Sequence, residues 1–120
     1  MLRILHLEDD PADALLIRRA IQASTLAAEI TLVSSGADFL AALAQSSWDV
    51  VLTDHSLPTF TSVDALAAVR AQQPGTPLIV LSGAGDEGQV QRSFRDGAAD
   101  YILKDHLPQL VIALHRITQT

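Results

Sequence analysis

The chain contains no cysteine. Disulfides, thiolate metal centres and a cysteine nucleophile are therefore excluded, which suits a reducing compartment such as the cytosol. Cations are scarce: eight Lys and Arg stand against fourteen Asp and Glu, for a net charge of -6. Nucleic-acid and membrane-surface binders need a cationic face, so neither partner is expected. No run of about 18 apolar residues occurs, and no membrane span is expected. The stretch Met1–Glu8 reaches an acid too early for the apolar region of a signal peptide. Repeats, low-complexity tracts and an interdomain linker are also missing. The expectation is one cytoplasmic domain spanning residues 1–120.

What is present is a core-forming composition, 48% hydrophobic over 120 residues, enough for one globular unit. Short apolar runs alternate with helical patterns five times. Strands are predicted over Arg3–Leu7, Glu29–Val33, Asp49–Thr53, Pro77–Leu81 and Asp100–Leu103, each apolar enough to be buried on both faces of a parallel sheet. The first helix opens on Asp10-Pro11, a cap followed by a first-turn proline, and should bury Leu16, Ile17, Ala20 and Ile21 while Arg18, Arg19 and Gln22 face water. A second follows Ser35 and should bury Phe39, Leu40 and Leu43. The third should bury Val63, Leu66 and Val69 and end before Gln73-Pro74-Gly75. The fourth starts near Asp86, pairs Val90 with Phe94 and stops at Gly97. The last carries the stripe Leu107, Leu110, Val111, Leu114 and Ile117.

A (βα)5 alternation implies an α/β, doubly wound parallel sheet with right-handed crossovers. Chemistry in such sheets gathers beyond the carboxyl ends of the strands. The first strand ends in Glu8-Asp9-Asp10 and the third in Asp54. If those strands are neighbours, their carboxylates converge and repel, a conflict that a hard dication such as Mg²⁺ resolves. Asp10 is sufficiently explained as a helix cap. The fourth strand ends in Ser82, followed by Gly83-Ala84-Gly85, where small residues allow an anion to approach backbone N–H groups. The fifth ends in Lys104, a cation able to neutralise the acids or grip a phosphoryl oxygen. Each signal has an ordinary structural explanation alone; their joint placement at four strand ends does not.

With these residues in place the chain resembles the receiver domains of bacterial two-component response regulators. The resemblance rests on Ile4-Leu5-His6-Leu7-Glu8-Asp9-Asp10-Pro11, Asp54-His55-Ser56-Leu57-Pro58, Leu81-Ser82-Gly83 and Gly97-Ala98-Ala99-Asp100-Tyr101-Ile102-Leu103-Lys104, and covers essentially the whole chain. It implies a flavodoxin-like sheet of strand order 2-1-3-4-5. It further implies that Asp54 accepts a phosphoryl group from a sensor histidine kinase or a histidine phosphotransfer protein. Glu8, Asp9, Asp54 and the backbone carbonyl of Ser56 would hold Mg²⁺, with Lys104 and Ser82 contacting the phosphoryl group. Ser82 and Tyr101 would switch a face formed by the fourth helix, fifth strand and fifth helix toward an output partner. Such a domain is a signalling module rather than an enzyme, supporting only its own phosphorylation and slow autodephosphorylation. Nothing after the last helix suggests an output domain, so a stand-alone regulator and a piece of a larger protein are both open.

Two departures stand out. Asp105 follows Lys104 where many members have proline, so a trans bond is predicted there. Ser62 stands where a glycine is usual, so the turn into the third helix should differ. Among the histidines, His6 is expected in the core and His55 in an exposed loop beside the site; Trp48 should pack at the start of the third strand. An alternative function, a Mg²⁺-dependent aspartyl-phosphate phosphohydrolase, would need a second acid two residues after the nucleophile, where Ser56 stands. A flavodoxin-like cofactor binder would need a Ser, Thr and Gly-rich phosphate loop where Glu8-Asp9-Asp10 stand.

Overall fold

A computed structural model describes residues 1–83 and 87–118, apart from the side chains of Ser56 and Glu87. Five long strands, β1 (Leu2–Leu7), β2 (Ala28–Val33), β3 (Val50–Asp54), β6 (Leu78–Ser82) and β7 (Asp100–Leu103), form one parallel sheet. Its order, β2-β1-β3-β6-β7, is 2-1-3-4-5 when the long strands alone are counted. Between them run α1 (Pro11–Gln22), α2 (Gly36–Gln45), α3 (Ser62–Gln72), α4 (Glu87–Asp96) and, last, α5 (Leu107–Thr118). The strands thus lie within about one residue of their predicted limits. No helix among the described residues is long and apolar enough to cross a membrane.

Period-two alternation along the central strands feeds two cores. Leu5, Leu7, Val51, Leu78 and Val80 meet Phe39 and Leu43 of α2 and Leu66 and Val69 of α3. Ile4, Val50, Leu52, Ile79 and Leu81 meet Ile17 and Ile21 of α1 and Leu110 and Leu114 of α5. The strand order therefore brings the ends of β1 and β3 side by side, with β6 and β7 following.

Local chemistry sets the helix limits. The Asp10 carboxylate caps α1 by accepting from the backbone N–H groups of Ala12 and Asp13, as its position before Pro11 predicts. Ser35 caps α2 through Asp38 N–H. Gly97, at φ 107°, ends α4 in the left-handed region. The expected α4 start at Asp86, with Ala84 and Gly85, lies outside the described residues.

Three residues expected to be buried face solvent instead: Leu16, Leu40 and Val63 are each at least 40% exposed, as is Phe94. In α1 and α2 the buried stripes run Ala14, Ile17, Ile21 and Phe39, Leu43; Leu16 and Leu40 sit one position off, about 100° around the helix. In α3 Ser62 and Ala65 join Leu66 and Val69 in place of Val63. In α4 it is Ser93 that is buried. β2 is an edge strand, and Leu32 is 40% exposed, so it is not buried on both faces as expected.

A feature absent from the prediction is a two-stranded hairpin, β4 (Ser56–Leu57) with β5 (Phe60–Thr61), between β3 and α3. It replaces the glycine turn. Thr61 caps α3 in a reciprocal box with Asp64, and Phe60 packs on Phe39 at a ring separation of 5.8 Å. Ser62 needs no left-handed backbone, since no described non-glycine residue has positive φ. The Lys104–Asp105 bond is trans, as predicted.

Candidate functional site

Glu8 follows β1 directly and is buried, at 2% exposure, with its backbone N–H bound to Val33 O. Asp54 is the last residue of β3 and half-buried. Neighbouring strands therefore deliver their carboxylates to one place: ligand oxygens of Glu8, Asp9 and Asp54 all lie within 4.8 Å of one another. Asp9 is the exposed member.

Lys104, directly after β7, reaches back across the sheet ends to this cluster. Its Nζ lies 2.6 Å from Glu8 Oε1, 2.8 Å from Asp13 Oδ2 and 3.3 Å from Asp54 Oδ1. Burial alone would depress the ammonium, but hydrogen bonds to Asp13 and Glu8 overcome it and hold its pKa well above the usual lysine value. Burial raises the pKa of Glu8, against the pull of Lys104 and of the Asp10 N–H that donates to Oε2 at 3.2 Å. One ammonium facing four carboxylates leaves the pocket strongly negative, and a hard dication would complete the charge balance. The donor set, carboxylates from two strand ends with an open, solvent-facing Asp9, fits Mg²⁺.

Ser82 ends β6 and is buried, at 3% exposure; its carbonyl accepts from Lys104 N–H at 2.7 Å. Tyr101, in β7, is half-buried and packs against the α2–α3 core. Its hydroxyl donates to Gln89 Oε1 of α4 at 3.4 Å. The Ser56 backbone lies in β4, two residues past Asp54.

The other sequence candidates have settled places. Asp10 is a cap. His6 is a core residue, 1% exposed, with its pKa lowered to about 4 by burial and then by Lys104 and Arg18. Trp48 is buried before β3, its Nε1 donating to Ala42 O at 3.1 Å. His55 corrects the expectation of an exposed loop residue. It is half-buried, and its ring stands 6.1 Å from that of Tyr101 at 61°. The cause is the hairpin, which folds the segment after β3 back toward α3. Asp13 was not anticipated as part of the site. In sequence it is an acid in a first helical turn, sufficiently explained by the helix dipole, and only the return of β7 brings Lys104 to it.

Parallel-sheet topology and converging strand-end acids define a class of small signalling domains. The model described as the response regulator receiver domain matches residues 4–115, and the chain belongs to that family, whose members work with histidine kinases and output domains. The cell cycle transcriptional regulator CtrA of Caulobacter vibrioides is 28% identical over 120 residues, covering 98% of this chain and 51% of CtrA. The chain thus spans about half the length of that relative. The receiver domain of the sensor histidine kinase PA1611 from Pseudomonas aeruginosa, solved with a magnesium ion coordinated in its active-site cleft, is 25% identical with a TM-score of 0.85, over 99% of this chain and 98% of that one. The BeF3-activated receiver domain of DrrB, a Thermotoga maritima protein, is 23% identical with a TM-score of 0.87, over 100% and 99%.

Proposed function

We propose that Asp54 is the phosphoacceptor of this receiver domain. The observation that carries this is Asp54 at the end of a central strand, within 4.8 Å of the Glu8 and Asp9 oxygens and 3.3 Å from the Lys104 ammonium. A carboxylate oxygen of Asp54 attacks the phosphorus of a phosphohistidine on a sensor histidine kinase or a phosphotransfer protein. The P–N bond breaks as the new P–O bond forms, leaving an acyl phosphate.

Glu8, Asp9, Asp54 and the Ser56 carbonyl would hold Mg²⁺, as the magnesium-containing PA1611 receiver makes reasonable. When bound, the ion offsets charge on the phosphoryl oxygens. Both Glu8 oxygens already accept hydrogen bonds, so Asp9 and Asp54 are the freer ligands. Lys104, now shared among Glu8, Asp13 and Asp54, pairs with the incoming phosphoryl oxygen. Ser82 hydrogen-bonds another. Tyr101 then shifts with it, and the α4–β7–α5 face changes its preference for an output partner.

The domain acts as one cytoplasmic unit over residues 1–120 and makes no direct nucleic-acid contact through its own acidic surface. It slowly releases its own phosphoryl group. The phosphohydrolase alternative lacks the second acid, since Ser56 occupies that position. Incubation with Mg²⁺ and acetyl phosphate should add one phosphoryl mass to the chain, and Asp54→Asn should abolish it. An unmodified wild-type chain, or equal labelling of the variant, would sink the proposal.

A further inference from the structure

His55 is not needed for phosphoryl transfer, yet its placement is specific. Its backbone is pinned on two sides: the N–H donates to Leu81 O of β6 at 2.8 Å, and the carbonyl accepts from Ser62 N–H of α3 at 3.1 Å. Its ring stands edge-on to Tyr101, 6.1 Å between centroids. The Tyr101 hydroxyl in turn meets Gln89 of α4. A continuous line of contact therefore runs from the residue bonded to Asp54, through two rings, into α4.

Among the described residues the buried Nδ1 of His55 has no hydrogen-bond partner, and the ring contact that holds it is the one with Tyr101. Beside it, between α3 and α4, lies a cavity of about 80 Å³ lined by His55, Leu66, Val80, Gln89 and Ser93, among others. The ring has a contact to lose and space next to it.

We propose that His55 is a positioning residue that couples the phosphoacceptor segment to α4 by bracing Tyr101. This rests on Asp54 being the phosphoacceptor and extends it by naming a second side chain, beside Ser82, that transmits its state to Tyr101. Modification of Asp54 disturbs the adjoining His55, the edge-on contact changes, and Tyr101 moves relative to Gln89. An aromatic edge contact biases such an equilibrium about two- to tenfold, enough to set how far α4 responds.

The test uses beryllofluoride with Mg²⁺ as the phosphoryl mimic. Bound fluoride is followed by ¹⁹F NMR, and the response by amide shifts of Val90 and Phe94 in α4. His55→Ala should keep the bound-fluoride signal while the α4 shifts fall below about half of the wild-type response. His55→Phe, which retains a ring, should restore them. A bound signal in His55→Ala with undiminished α4 shifts overturns the coupling alone. So does a His55→Phe variant as unresponsive as His55→Ala. No bound fluoride in the wild-type chain overturns the phosphoacceptor assignment, and the coupling with it.

Discussion

The ammonium of Lys104 closes to 2.6 Å on the carboxylate of Glu8, joining the ends of the last and first strands across 96 positions of sequence. Glu8 has a fully buried side chain and Lys104 is its compensating cation, while Lys104, 15% exposed, also pairs with Asp13. Breaking such a pair strands a buried charge. Lys104→Met should lower stability at pH 7 by roughly 2–4 kcal/mol without Mg²⁺. Saturating Mg²⁺ should recover part of that loss, because a dication replaces the missing positive charge. Urea unfolding with and without Mg²⁺ checks both parts; equal losses in the two conditions would argue against a cation site.

His6 predicts a pH dependence. Its folded-state pKa is lowered to about 4 by burial, whereas the unfolded chain titrates near 6.5. Protons therefore bind the unfolded state first as pH falls. The contribution is intact above pH 6.5 and is lost as the pH drops from there to about 4. Between pH 7 and pH 5 the loss amounts to about 2 kcal/mol. His6→Phe should remove that share of the decline, read as a smaller difference between urea midpoints at the two pH values.

Gln73 acts as a clamp between two loops. Its Nε2 donates to Leu43 O at 2.8 Å and Ser46 O at 2.6 Å, while its Oε1 accepts from Trp48 N–H at 3.0 Å. Gln73→Ala leaves these groups without their partner and should cost about 2 kcal/mol. Trp48 is the only tryptophan and buried against this clamp, so its emission should shift to the red in the same variant.

Gly36 lies beneath the hairpin. A Cβ there would run into the ring of Phe60, which also packs on Phe39. Gly36→Ala should destabilise by about 1–3 kcal/mol through overpacking, despite alanine's better helix propensity. Gly36→Ala combined with Phe60→Leu should lose less than Gly36→Ala alone, measured by denaturant melts. An additive pair would contradict the contact.

Much of the site was legible because it depends on where strands end. Glu8, Asp9, Asp54, Ser82 and Lys104 each border an apolar run, and a parallel sheet collects such positions on one edge. Helix faces were read less well. Leu16 and Leu40 adjoin the true stripes, and apolar pattern alone does not say which of two neighbouring positions meets the sheet. The hairpin escaped notice because strands of two residues carry no period. With it went the surroundings of His55.

By itself the sequence determined the strand and helix alternation, the capping of α1 and α2, and the polar residues waiting at the strand ends. These follow from patterns and hydrogen bonds that span only a few residues. Tertiary structure alone decided who answers whom. Asp13 joined the site because β7 returns Lys104 to it, and His55 met Tyr101 because β4 and β5 fold back before α3. Contacts between distant residues depend on the packing of whole elements, and no local pattern encodes that.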